Sequence, residues 1–449
     1  MSHSLHNINS WKNSFNIVNE KLYNQLKSDE YLIVQLRAEN TQFIRFNNAK
    51  IRQTGVVIDG EITLKLITNK RVTYAEFPLT GDVDIDVKNA LDNLVYARST
   101  LENLPDDPYI IIPKNQGSSH EIYEGKLLSY EEAIEEILKP VQGLDFTGYY
   151  AGGSIIRANY NSLGQKHWFS TDSFFIDYSL INHNEKAIKG TFSARDWHKE
   201  KYHHQIDYHQ QELQQLNLPI HEVKKGSYRT YLAPCAVADL LGMFSWGAIS
   251  EASLRQGGSA LAKLREGETL SPLFHLKENF HSGNVPRFND FGEMSADELP
   301  LIVEGELVNS LISSRTALEY GLKSNGASSY EALRSPEIAE GTLSENEILK
   351  EIDTGLYLSN LHYLNWSDRT QGRITGMTRY GCFWVENGEI VATIKDLRFD
   401  ESLYSFFGKN LLAFTDFREF IPEVSTYEAR SLGGSLVPGA LVDNFTFTL

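Results

Sequence analysis

Phe383-Trp384-Val385-Glu386-Asn387-Gly388-Glu389-Ile390-Val391 reads as a tight β-hairpin. Two strand-like runs flank Asn-Gly, the pair best suited to a two-residue turn whose central residues both need positive φ. The last hundred residues share this β-rich character. Near the amino terminus, Val56-Val57-Ile58, then Asp59-Gly60, then alternating Ile62, Leu64 and Leu66 predict a second hairpin turning at Asp-Gly. Helical spacing of Val87, Leu91, Leu94, Val95 and Leu101 predicts a helix over 82–101, stopped by the turn-rich Pro105 to Pro108. Ser129-Tyr130-Glu131-Glu132 is a capping box that opens a second helix, ending before Pro140. Strands over 149–160 and 165–178 flank the turn Asn161-Ser162-Leu163-Gly164, and a polar helix follows over 195–216. A strand over 228–233 leads into Pro234, at home in a first helical turn, and an apolar helix is expected from Ala236 to Ser250. A loop-rich section, Gly257 to Asn289, and a short capped helix from Ser344 complete the pattern. The expectation is an α+β fold in two domains: α/β over 1–222 and β-rich over 223–449, divided in the stretch from Leu218-Pro219 to Gly226-Ser227.

With 449 residues, core volume is not limiting. A formal net charge of -17, with no dense Lys/Arg run to offset it, argues against direct binding to nucleic acid or to an acidic membrane surface. Met1 to Glu20 is polar and lacks the apolar run of a secretory signal, and no window reaches the roughly 20 apolar residues that span a bilayer. A cytoplasmic location is expected.

Motifs for autonomous chemistry are sparse. Cys235 and Cys382 are too few for a disulfide scaffold and read as buried thiols. His120-Glu121 and His221-Glu222 begin like a zinc-hydrolase helix, but neither has a second histidine three to five residues on. Four histidines fall between His198 and His209; His203, His204, Asp207 and His209 are the visible candidates for a metal site. On a helix no two of these histidines share a face within one turn, which favours a solvated, charge-laced helix. No glycine loop of the nucleotide-binding kinds is present. Gly257-Gly258-Ser259 and Gly433-Gly434-Ser435 lack the second glycine of a nucleophile elbow.

Several segments nevertheless resemble the TldD/PmbA family, also known as modulators of DNA gyrase and as peptidase family U62. They are the stretch from Phe43 to Leu66, the turn Asn161-Ser162-Leu163-Gly164, and, in family order, Thr354-Gly355-Leu356-Tyr357, Asp368-Arg369-Thr370-Gln371-Gly372 and Gly381 to Ile390. The family's TldD branch carries an H-E-x-x-x-H zinc helix completed by a cysteine near the carboxyl end. Register from Leu240-Leu241 and from Arg255-Gln256-Gly257-Gly258-Ser259 sets Gly242 and Met243 at the first His and the Glu, and Gly247 at the second His. Around Ser431-Leu432-Gly433-Gly434, where the cysteine is expected, there is no thiol. Leu241 to Ser250 resembles the corresponding helix of the PmbA/TldE branch, which lacks the metal motif.

The resemblance implies a non-catalytic subunit that pairs with a TldD-like catalytic subunit, or with itself as a dimer, around unfolded peptide. It implies no cofactor in this chain, zinc in the partner, a link to proteolysis and peptide maturation, and only an indirect link to gyrase. Trp246, Arg369 and Trp384 are candidate peptide contacts by position, and packing or turn roles are the plainer reading. Two rival readings remain: an independent metal-dependent peptidase using the histidine cluster, and a homodimeric peptide-binding scaffold without proteolytic role.

Overall fold

The computed structural model describes residues 2–448. Among these, strands gather into a seven-stranded sheet built before residue 195 and a twelve-stranded sheet built after residue 219. None of the described helices is long and apolar enough to cross a membrane.

The first sheet is formed by β1 (Tyr31–Asn47), β2 (Lys50–Ile67), β3 (Val72–Pro78), β4 (Ser119–Tyr123), β5 (Asp145–Asn161), β6 (Lys166–Ile181) and β7 (Ala187–Ala194), in the order β3-β2-β1-β5-β6, with β4 and β7 both pairing β6. One face buries Leu32, Val34, Leu36, Ile62, Leu64 and Leu66 under α1 (Ser2–Tyr23) and α2 (Val83–Leu101). Trp11, Phe15, Val18 and Leu22 repeat at helical spacing along α1 and carry the contact. Asp82, read from the sequence as the first helical residue, is the N-cap of α2 and accepts the amides of Asp84 and Ile85. The capping box at Ser129 opens α3 (Tyr130–Leu138), and α4 (Lys199–Gln215) packs Tyr202 and Ile206 against the same half of the molecule.

The Asp59-Gly60 turn is overturned. β1 and β2 form one long hairpin whose turn is Asn48-Ala49, with φ of 51° and 50°, the signs a two-residue turn demands. Gly60 lies within β2 opposite Ala38, and its carbonyl accepts the Leu79 amide at 2.7 Å. A Cβ there would touch Leu79 at 3.4 Å, so this glycine serves a close chain crossing and not a reversal.

The second sheet comprises β8 (Ile220–His221), β9 (Gly226–Leu232), β10 (Leu276–Asn279), β11 (Glu298–Val303), β12 (Glu306–Leu307), β13 (Pro336–Ile338), β14 (Gly355–Asp368), β15 (Arg373–Glu386), β16 (Glu389–Ile394), β17 (Arg398–Ser402), β18 (Leu411–Pro422) and β19 (Gly434–Phe447). The hairpin at Asn387-Gly388 is present as read, with φ of 54° and 78°. β9 lies between β14 and β19 and feeds α5 (Pro234–Gly242), whose Ala236, Val237, Leu240 and Leu241 sink into the larger core.

The single helix expected from Ala236 to Ser250 is also corrected. After α5, Met243–Ser245 tightens into a 3-10 turn, Trp246 leaves helical geometry at φ -96° and ψ 56°, and Gly247 adopts φ 78°. Ser250 then restarts the chain as N-cap of α6 (Glu251–Arg255), its hydroxyl accepting the Ser253 amide at 3.2 Å. An N-cap needs extended backbone, so Ser250 cannot also continue a helix from before.

Candidate functional site

The chain leaving α5 forms one wall of an open cleft of about 600 Å³. Asp239, Gly242, Met243 and Trp246 line it from the α5 side, Leu361 to Leu364 from β14, and Leu432, Gly434 and Ser435 from the start of β19. Segments nearly two hundred positions apart thus meet because β9, which leads into α5, pairs with both β14 and β19.

Gly242 is exposed at the end of α5, and a Cβ built on it meets nothing within 4 Å. Met243 is buried in the core. Gly247 faces away from that space: a Cβ there would lie 3.4 Å from both Arg369 Nη1 and Ser253 Oγ. Trp246 is 58% exposed at the rim, and its carbonyl accepts the Trp366 indole N–H at 3.1 Å. Trp246 thus lines the cleft, whereas Arg369 lies beside Gly247 outside the cleft lining. Trp384 is elsewhere, stacked on His221 at 4.3 Å with the rings 5° from parallel, with Tyr228 edge-on at 5.8 Å.

Asp239 accepts the Leu361 amide at 3.1 Å. Water reaches it through the cleft mouth while protein surrounds the rest, and this desolvation, opposed by that amide, pushes its carboxyl up to about 7. β14 is irregular here: its register with β15 slips between His362 and Asn365, and Tyr363 takes φ 52° while 78% exposed. Beyond Leu358, the edge of β14 that β9 occupies has no strand partner among the described residues. Arg334, also on the cleft wall, spends its guanidinium on the carbonyls of Pro286, Arg287, Phe288 and Gly326 and on the Ser295 hydroxyl. Asp239, His362, Tyr363 and Arg334 belong to no motif in the sequence. Their one signal there is the break in strand alternation at Asn360, His362-Tyr363 and Asn365.

The donor set does not fit a zinc ion. Glycine offers no side-chain ligand, and Met243 only a buried thioether. Among the described residues no three His, Cys, Asp or Glu side chains group so as to hold a metal.

The histidine-rich helix separates its candidates. His204 and Asp207 are exposed, and His203 is half-buried with Nε2 unpartnered. His209 points the other way, its Nδ1 2.8 Å from the Tyr178 hydroxyl, and surrounding protein pushes its imidazole down to about 4. A Cβ on Gly190 would meet the His209 ring and the Tyr178 ring at 2.6 Å, so that glycine makes the room in which the two rings meet.

Fold and cleft together define an α+β protein of two large sheets with an open cleft between α5, β14 and the start of β19. The sequence over residues 225–449 matches the PmbA/TldA metallopeptidase C-terminal domain, and the chain belongs to this PmbA/TldD family. A solved structure of a putative modulator of a DNA gyrase from Thermotoga maritima is similar with TM-score 0.77 and 18% identity, over 97% of this chain and 100% of that one. TldE from Thermococcus kodakarensis gives TM-score 0.75 and 16% identity over 98% and 100%. A putative modulator of DNA gyrase from Bacteroides thetaiotaomicron gives TM-score 0.75 and 13% identity over 97% and 98%. No curated protein matches the sequence.

Proposed function

We propose that this chain is the non-catalytic, TldE-like subunit of a two-component metallopeptidase and holds unfolded peptide for a zinc-bearing, TldD-like partner. One observation carries the reading. Gly242 opens onto empty cleft space, and the cleft also takes in Leu432, Gly434 and Ser435, so the two segments matched to the family's metal site line one cavity yet bring no ligand to it.

The cleft suits an extended chain. The free edge of β14 offers backbone donors and acceptors to an added strand, while Trp246 and Tyr363 supply exposed aromatic walls. Such recognition reads backbone more than side chains, as a subunit presenting varied peptides requires. With a net charge of -17, a connection to gyrase runs through peptide substrates and not through DNA. The proposed setting is cytoplasmic.

The test pairs elemental analysis with a peptidase assay. Dialysed chain alone should retain no stoichiometric zinc and leave an unfolded peptide intact, and adding a TldD-type partner should give cleavage that weakens when Trp246→Ala and Tyr363→Ala are combined. One zinc per chain surviving dialysis, or hydrolysis by the isolated chain, overturns the proposal.

A further inference from the structure

A second cavity, of about 180 Å³, lies between the two sheets' loops and is independent of the cleft. Lys65 forms its floor. The residue is on β2, on the sheet face opposite the α1 and α2 core, opposite Tyr74 of β3, and only 3% exposed. Its Nζ rests 3.2 Å from the centre of the Phe291 ring and 5.4 Å from that of Tyr74. No carboxylate among the described residues lies within ion-pair distance of it, and no acceptor receives its three donors. The nearest acid, Asp290, gives its carboxylate to the amide and hydroxyl of Ser329.

Two of the remaining charges around the cavity cancel each other. Arg315 is bound to Asp107 at 2.6 Å, and Asp107 also accepts the Tyr109 amide at 2.9 Å. Lys65 is the cation left without a hydrogen-bonded carboxylate, and Asp290, whose own partners are the neutral groups of Ser329, is its nearest counter-charge. The hydroxyls of Tyr74, a residue 54% exposed, and of half-buried Tyr109 make no hydrogen bond to protein among the described residues. Val72, Ile110, Ile111 and Phe291 make the other walls apolar. A buried ammonium is normally paired, because removing it from water without a counter-charge is costly.

We infer that this cavity is a binding site for a small organic carboxylate, whose charged end bonds Lys65 Nζ and the tyrosine hydroxyls while a short aliphatic body fills the apolar side. A carboxylate monoanion supplies Lys65 with the acceptor it lacks at the smallest cost in charge, whereas a phosphate dianion would bring more negative charge beside Asp290 and against apolar walls. The volume admits a small molecule and excludes a folded partner. Burial also pushes the Lys65 ammonium down to about 8, partly opposed by Asp290, so a bound carboxylate should raise it again.

Calorimetric titration of the full chain with isovalerate, with inorganic phosphate in parallel, tests the site. One isovalerate should bind per chain, and phosphate at least about tenfold more weakly. Lys65→Met, which keeps the bulk and removes the charge, should weaken isovalerate by about tenfold or more, and Val72→Phe, which fills the cavity without changing charge, should do the same. Lys50→Met, on an exposed part of β2, should change nothing. Bound isovalerate should also protect Lys65, and not Lys50, from an amine-reactive reagent. Absence of saturable isovalerate binding, tighter phosphate binding, or wild-type affinity in either folded cavity variant overturns the inference; if Lys65→Met does not fold, Val72→Phe and the protection pattern decide it.

Discussion

Helix α4 and its N-cap His198 place four histidines within twelve positions and then disperse them, whereas the cleft at Gly242 gathers residues from Asp239 to Ser435 onto shared walls. His198 and His209 lie at nearly the same angle around a helix but about 16 Å apart along it, and His203 and His204 diverge by about 100°. A sheet does the reverse. β9 pairs with β14 on one side and β19 on the other, so chain ends far apart in sequence emerge side by side. Density of chemically suggestive residues along the chain is thus a poor guide to a site, and strand adjacency a good one.

The contrast is most exposed to failure at the base of each region. Leu240 anchors α5 in the core with no exposed surface, and Leu240→Ala should cost about 3 kcal/mol in urea unfolding, since it removes buried methyl groups and leaves a cavity. A loss under about 1 kcal/mol would mean that α5 does not hold the cleft wall. In the histidine region, Gly190→Ala should cost about 2 kcal/mol by driving a methyl group into the His209 and Tyr178 rings. If it is neutral, His209 is not packed as a structural residue.

Titration separates the two regions by sign. His209 is held below its ordinary 6.5, at about 4, so between those values the unfolded chain binds a proton that the native chain refuses. Its contribution is present above pH 6.5 and is lost as pH falls toward 4. Asp239 is raised from 3.8 to about 7, so there the native chain holds a proton that the unfolded chain has released. Its contribution is present at low pH and is lost as pH rises toward 7. Comparing stability against pH, His209→Gln should flatten the acid-side slope and Asp239→Asn the slope toward neutrality. Slopes unchanged in both variants would remove these two groups from the account.

Much of this architecture was open to reading because local chemistry decided it. The capping box at Ser129 and the Asn387-Gly388 turn each satisfy a backbone need with residues adjacent in sequence. Long-range needs were not open in the same way. Asp59-Gly60 carries a strong turn signature, yet β1 is long enough to require a partner reaching back to Lys50, and that pairing outweighs the local preference. The break after α5 is set by Ser250 capping the next helix and by Trp246 meeting Trp366, a residue 120 positions away. Recognition of the family placed Gly242, Met243 and the 431–434 segment in one functional context; only their shared sheet neighbours show why they converge.

The smallest expected effect concerns Gly242, at the wall of the cleft. Gly242 has ordinary right-handed helical geometry, φ -54° and ψ -31°, and open space where a side chain would stand. Glycine is a poor helix former, so Gly242→His should leave stability within about 0.5 kcal/mol of the parent, on the stabilising side if anywhere. Gly247→His faces the opposite circumstances, a φ of 78° and a Cβ pressed toward Arg369 and Ser253, and should cost about 1 to 2 kcal/mol. Folding therefore imposes the glycine at 247 and not the one at 242. If chemical denaturation finds Gly242→His as costly as Gly247→His, glycine at both positions is a demand of the backbone; if the two differ as argued, folding requires the glycine at 247 and tolerates a side chain at 242.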